Sequence, residues 1–254
     1  MKIAVNTRLL LPGKLEGIGW FTFETFRRIA RDHPEHEFIF IFDRPFHKDF
    51  IPAPNVTGIF AGPQARHPVL YFLWFEKVIP RLLKKLKADV FVSPDGYLPL
   101  HSPVPSLAVI HDLNFEHYPQ DLPWMERWYY RTFFPLYARA ATRLATVSGF
   151  SREDISKSYG ISPEKIDVVY NGVNEGFRPL SPEQISEVRS SLTGGRPYFM
   201  FIGAQHPRKN LVRLFRAFDD LRKQGHDAAL VITGGRKWWT RSIETAFRSM
   251  QHSQ

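Results

Sequence analysis

The feature that most constrains the fold of this 254-residue chain is the alternation of short β-rich apolar runs with longer stretches of helical period. The runs KIAVN, EFIFIF, DVFVS, SLAVIHD, RLATVS and KIDVVYNG carry branched and aromatic residues suited to buried strands. Between several of them lie FTFETFRRIA, PWMERWYYRTFFPLYARAA and SREDISKSYG, whose apolar residues recur at helical spacing. Strands joined by crossover helices pair in parallel, so the pattern predicts an α/β layered sheet. Ligands on such sheets gather at the carboxyl ends of the strands. The residues following each run are therefore the first candidates for a site.

Between Tyr170 and Pro197 the alternation dissolves into NGVNEGFRPLSPEQ and LTGGRP, both rich in turn formers, with a short polar helix-like stretch between them. It then restarts with PYFMFIG as a strand, NLVRLFRAFDDLRKQ as an amphipathic helix and AALVITGG as another strand. The expected organisation is a first domain at 1–178, a linker at 179–196 and a second domain from 197. The 58 residues from Pro197 to Gln254 are about half the usual size of an independent domain. The closing segment RKWWTRSIETAFRSMQHSQ reads as a helix without a capping signal, so the second domain is expected to be incomplete.

Cysteine is absent, which excludes disulfides, thiolate metal sites and cysteine nucleophiles and suits a reducing compartment. The expected location is the cytoplasm. Met1–Val5 runs straight into Asn6, Thr7 and Arg8, which predicts no signal peptide. The longest strictly apolar stretch, Val69–Phe75, is far shorter than the roughly 20 residues of a spanning helix.

A formal charge of +9 points to an anionic partner. From Arg66 to Lys87 there are six basic residues against Glu76, interleaved with Leu70, Tyr71, Phe72, Trp74 and Phe75. Three readings stay open for this segment. It could lie peripherally on the anionic inner face of a membrane, steer an anionic acceptor, or be a helix pair broken by Pro80, with aromatics facing the core and lysines facing water. No nucleic-acid partner is expected, because the charge is not organised with base-reading or stacking elements.

Three positions after strands carry candidate chemistry. LLPGKLEGIGWF places Gly13, then Gly17-Ile18-Gly19, immediately before a helix, where bare backbone N–H groups can approach a phosphate or sugar; a flexible connection explains the same residues. His111 and Asp112 follow a strand end, where the imidazole could meet a ligand hydroxyl or simply pack beside the core. Arg208 and Lys209 stand at the start of a helix, the end where cations are disfavoured unless an anion lies between them and the exposed N–H groups. A guanidinium beside an ammonium suits a diphosphate, and full solvation is the alternative. There is no Walker A pattern, no His-Glu-x-x-His and no G-x-S-x-G elbow at Ser148-Gly149, so neither a metal site nor a serine triad is predicted.

Taken in order, the GIG after the first strand, VIHDL, ATVSGFSREDI, VVYNGVNEGFRP and FIGAQHPRKNLVRLFRAF resemble the retaining glycosyltransferases of family 4, also called group 1. The resemblance implies a GT-B architecture: a complete N-terminal Rossmann-like domain with a parallel sheet, then the first part of a second Rossmann-like domain. It implies a nucleoside-diphosphate sugar as donor substrate, no metal or other cofactor, and a glycan or lipid-linked acceptor. Arg208 and Lys209 would stabilise the leaving diphosphate, while Gly17, Ile18, Gly19, His111 and Gly203 would contact the donor. The expected reaction is transfer of a hexose, mannose by preference, with retention of configuration. A piece that binds without turning over and a GT-B sugar-nucleotide epimerase are the alternatives.

The resemblance also marks a departure. The family's two glutamates, eight positions apart well into the second domain, have no counterpart before Gln254. Glu16 with Glu24 and Glu175 with Glu183 match the spacing by chance, in the wrong places.

Overall fold

Five consecutive residues of EFIFIF, Phe38 to Phe42, are buried, and continuous burial along a strand requires helices on both faces of its sheet. The computed structural model, which describes residues 1–173, 176–236 and 239–251, shows this arrangement. The chain divides into two compact units, Met1–Gly172 and Val173–Gln254.

In the first unit the elements run β1 (Lys2–Asn6), α1 (Gly17–Asp32), β2 (Glu37–Phe42), β3 (Val56–Phe60), α2 (Pro68–Leu73), α3 (Ile79–Leu86) and β4 (Val90–Ser93). They continue with β5 (Ser106–Val109), α4 (Asn114–His117), α5 (Trp124–Ala140), β6 (Arg143–Thr146), α6 (Gly149–Tyr159) and β7 (Ile166–Val168). The seven strands form one sheet of order β3-β2-β1-β4-β5-β6-β7, parallel at every pairing. Alternate residues serve opposite faces. Phe38, Phe40 and Phe42 pack with Phe26 and Ala30 of α1. Ile39 and Ile41 belong to the larger core with Trp74, Phe75, Tyr129 and Tyr137.

The order of the strands locates the crevice. From β1 the chain builds outward through β2 and β3, then returns to place β4 on the other side of β1 and builds away through β7. The loops leaving β1 and β4 therefore diverge, and the space between them at the strands' carboxyl ends is where such sheets receive ligands.

Two local expectations change. Strand β3, VTGIF, is not among the apolar runs, because Gly58 interrupts it; there a Cβ would lie 2.3 Å from the Phe46 ring. Pro80 does not break its helix pair: it occupies the first turn of α3, where no intrahelical N–H is needed. The irregularity precedes it, as a π-turn over Trp74–Val78 in which Ile79 N–H reaches the Trp74 carbonyl.

The second unit contains α7 (Pro182–Thr193), β8 (Tyr198–Ile202), α8 (Leu211–Lys223), β9 (Ala229–Thr233) and α9 (Arg241–Arg248). Helix α7, the polar stretch between the two turn-rich segments, starts with a reciprocal capping box between Ser181 and Gln184 and ends at Gly194 in the left-handed conformation. Strands β8 and β9 pair in parallel, and Leu211 and Phe215 of α8 pack against Ile243 and Ala246 of α9. Among its described residues the closing segment is helical over Arg241–Arg248, with Thr240 capping it. Residues 237, 238 and 252–254 of that segment lie outside the described residues.

Candidate functional site

The first-unit site is built on a buried polar network at the β1–β4 crevice. Asp95, two residues past β4, accepts from Arg8 Nε at 2.6 Å, Asn6 Nδ2 at 2.8 Å and Ser93 Oγ at 3.0 Å. Arg8 also donates to the Ala65 carbonyl, and the Ala65 N–H donates to Asp43 at the end of β2. The guanidinium lies over the rings of Tyr97, Tyr71 and Phe75, its central carbon 4.5, 5.2 and 5.9 Å from their centroids. Burial by itself would weaken the charged form of Arg8; the carboxylate of Asp95 together with the phenols of Tyr97, Tyr71 and Tyr130 outweighs it and leaves the guanidinium above its ordinary range. One loop end from each of β1, β2 and β4 is thereby locked to the others.

His111, two residues past β5, is fixed from three directions. Its Nε2 lies 2.9 Å from the Pro94 carbonyl, its own carbonyl accepts from Ser151 Oγ of α6, and the Phe21 ring of α1 meets the imidazole edge to face at 4.8 Å. A carbonyl oxygen can only accept, so Nε2 carries the proton. In the neutral ring, Nδ1 is then a lone-pair acceptor, suited to a ligand hydroxyl. Pro94 adjoins Asp95, so the network and the imidazole share one loop.

Gly17, Ile18 and Gly19 are not a loop: they form the first turn of α1. Glu16 at the N-cap gives no side-chain cap, and no acid stands in the first turn, so this turn presents bare N–H groups. The two glycines differ. A Cβ at Gly17 would meet nothing within 4 Å, whereas one at Gly19 would lie 2.9 Å from the Leu9 carbonyl. Gly17 faces open space, and Gly19 lets α1 close against the loop leaving β1. Phe21, one turn on, brings this helix start beside His111.

In the second unit, Arg208 and Lys209 do not belong to α8 itself. They occupy a single 3-10 turn, Pro207–Lys209, and Asn210 in the left-handed conformation at φ 58° links that turn to α8. His206 Nδ1 receives the Arg208 N–H at 3.2 Å. Both cations are exposed, and α8 has no acid in its first turn. Behind them the ends of β8 and β9 meet backbone to backbone, since a Cβ on Gly234 would lie 2.0 Å from the Gly203 carbonyl. Buried Gln205 ties the two loops, its backbone N–H donating to Gly235 O at 3.0 Å and its Nε2 to Gly234 O at 3.3 Å. Of the chance glutamates, Glu24 pairs with Arg27 and Arg28, Glu183 lies in the first turn of α7, and Glu175 is outside the described residues.

The family description Glycosyltransferase Family 4 matches residues 15–177, which include the start of α1 and His111. The chain belongs to glycosyltransferase family 4. Among curated relatives, this family 4 member is 23% identical over 199 residues to the O-antigen chain mannosyltransferase RfbU of Salmonella typhimurium, covering 76% of this chain and 50% of the relative. It is 24% identical over 163 residues to O-antigen chain mannosyltransferase B of Escherichia coli, covering 62% and 41%. It thus spans half or less of these relatives' length. In fold it is similar to Anabaena HepE, solved with UDP and glucose, at TM-score 0.63, 16% identity and coverage of 100% of this chain and 65% of that one. It is also similar to the UDP-GlcNAc 2-epimerase of Neisseria meningitidis, at TM-score 0.54, 10% identity and coverage of 100% and 70%.

The buried residues Asn6, Arg8 and Asp95 are absent from the sequence-derived candidates. Their signal is a polar run directly after a buried strand, Asn6-Thr7-Arg8 after β1 and Ser93-Pro94-Asp95 after β4.

Proposed function

We propose that the protein to which this chain belongs is a cytoplasmic glycosyltransferase that moves a hexose, mannose in the first instance, from a nucleoside-diphosphate sugar to a glycan or lipid-linked acceptor with retention of configuration. The observation that carries this reading is the Arg208-Lys209 pair. Two exposed cations precede a helix start that offers no acid, an arrangement that favours an anion of high charge. Family membership and the O-antigen mannosyltransferase relatives support the sugar-transfer class.

As the glycosidic bond breaks, negative charge grows on the departing diphosphate, and stabilising that charge is the main catalytic task. Arg208 and Lys209 supply it, with the backbone at Gly203 leaving space for the nucleotide. Within the first unit, His111 accepts a sugar hydroxyl at Nδ1, and the bare first turn of α1 at Gly17, Ile18 and Gly19 favours a sugar or phosphate group. Attack from the face the leaving group vacates retains configuration without a covalent carboxylate, so the two-carboxylate geometry of glycoside hydrolases is not required.

Calorimetric titration with GDP and UDP tests the reading on wild type and on Arg208→Ala with Lys209→Ala. Undiminished affinity in the double variant would remove the proposed role of the pair. Sugar transfer by the 254-residue chain would dismiss the view that it only binds. The epimerase reading, favoured by the fold likeness to the Neisseria enzyme, predicts a C2-inverted sugar product without any added acceptor.

A further inference from the structure

The π-turn at Trp74–Val78 rotates the α2–α3 segment so that its side chains separate into two sets. Trp74, Phe75, Ile79 and Leu83 enter the core. Val69, Phe72, Leu73, Lys77, Arg81, Lys84 and Lys85 remain exposed along one side. Thus the aromatics of this segment do not all face inward, and its apolar end lies next to α5. Phe133 of α5 joins the two helices, its ring centroid 6.0 Å from that of Phe72 and 6.1 Å from that of Trp128.

Helix α5 extends the surface. Trp124 is 69% exposed and Trp128 55% exposed, one turn apart, and Leu136 follows them. Arg127, Arg131 and Arg139 stand on the same side and, with both tryptophans and Tyr159, line a depression of about 840 Å³. Acids nearby are largely committed: Glu116 receives Arg131 Nε and the Tyr159 hydroxyl, and Glu76 receives the Leu100 N–H. Helix α5 itself carries a single carboxylate, Glu126. Arg81, Lys84 and Lys85 have no ion-pair partner among the described residues.

We infer that this α2–α3–α5 face is a docking surface for an anionic bilayer, with Trp124, Trp128, Phe72, Leu73 and Val69 entering the headgroup boundary and the cations of α3 and α5 meeting lipid phosphates. Indole rings suit that boundary because an apolar body and a polar N–H are both satisfied there. Basic side chains beside an apolar ridge add attraction to anionic headgroups. The same positive charge repels a second copy of this face, which argues against self-association. No described helix is long and apolar enough to cross a bilayer, and contact of this kind requires none. The surface does not depend on the transferase reading, since vesicle binding needs neither donor nor acceptor.

Sedimentation with vesicles of phosphatidylcholine, with and without phosphatidylglycerol, tests the inference on the whole chain. Wild type is expected on phosphatidylglycerol vesicles and not on phosphatidylcholine alone, with its tryptophan fluorescence quenched by brominated lipid. Arg81→Glu, Lys84→Glu and Lys85→Glu together should weaken partitioning roughly 100-fold, at about fivefold for each cation lost. Trp124→Ala with Trp128→Ala should weaken it roughly tenfold and abolish most of the quenching. All these side chains are exposed, and circular dichroism confirms that each variant folds. A charge-matched control, Lys48→Glu with Arg152→Glu and Lys157→Glu, should bind as wild type. Failure of wild type to sediment, an equal loss in the control, or unquenched tryptophans would overturn the inference. Concentration-dependent dimerisation without vesicle binding would overturn it in favour of a second copy.

Discussion

Replacing Asp95 by alanine removes the one carboxylate that neutralises Arg8, and the guanidinium has nowhere to go: Arg8 is 7% exposed, with Tyr71, Phe75 and Tyr97 around it. At an effective dielectric of ~20, opposite charges 4 Å apart attract by about 4 kcal/mol. That attraction is lost while the desolvation of Arg8 remains. The amide of Asn6 and the hydroxyl of Ser93 lose the same acceptor. The expected cost is about 3–5 kcal/mol, the usual range when one member of a buried pair is deleted. For a unit of this size that lowers the melting temperature by roughly 6–20 °C. Asp95→Asn keeps an acceptor for Asn6 and Ser93 and removes only the charge, so its loss should be smaller. Arg8→Met with Asp95→Leu removes both charges and should recover much of the stability, because apolar side chains of similar volume can replace a buried pair. Scanning calorimetry and urea titration of wild type, Arg8→Met, Asp95→Leu and the double variant measure the coupling between the two positions, and the same methods read the losses in Asp95→Ala and Asp95→Asn. A loss under about 1 kcal/mol for Asp95→Ala, or a double variant less stable than the single, would refute the argument that Arg8 needs Asp95. Because Pro94 holds the His111 imidazole, the same variant should also broaden the His111 ring resonances.

Three further outcomes follow from particular contacts. Gly19→Ala drives a Cβ to 2.9 Å from the Leu9 carbonyl and should cost about 1–3 kcal/mol by overpacking, whereas Gly17→Ala meets open space and should leave the melting temperature nearly unchanged. Arg208→Ala with Lys209→Ala should weaken GDP or UDP binding by about 3 kcal/mol, roughly 150-fold, without altering the melting temperature of the unliganded chain. Burial raises the phenols of Tyr129, Tyr137 and Tyr159 above their usual value near 10. A raised folded-state value contributes stability that is complete below the unfolded value and lost as pH climbs above it. Native protein should therefore resist ionisation of these tyrosines, read by ultraviolet difference absorbance, near pH ~10, lose urea stability above that pH, and release their absorbance only on unfolding.

The alternation of β-rich runs with helical segments was enough to predict a parallel α/β sheet, because the spacing of apolar residues is set by local backbone geometry. Gly17, His111 and Arg208 stood out as candidates for a related reason: each follows a strand, and strand ends on such sheets collect ligands. What the linear order lacked was the strand order β3-β2-β1-β4-β5-β6-β7, which brings Arg8 beside Asp95 across 87 residues, a pairing that no local pattern announces. It exists only because β1 and β4 are neighbours. Gly17-Ile18-Gly19 proved to be a helix start, since the extent of a helix depends on what its first turn packs against as well as on its residues. Phe72 shows the same limit from the other side: its apolar character was plain in the sequence, but an exposed position beside Phe133 of α5 was fixed by the π-turn and by the seat of that helix. Periodicity specifies which elements form. Which side chains meet, and which face is left to solvent, is decided by contacts between residues far apart in the chain, and only the tertiary structure contains those.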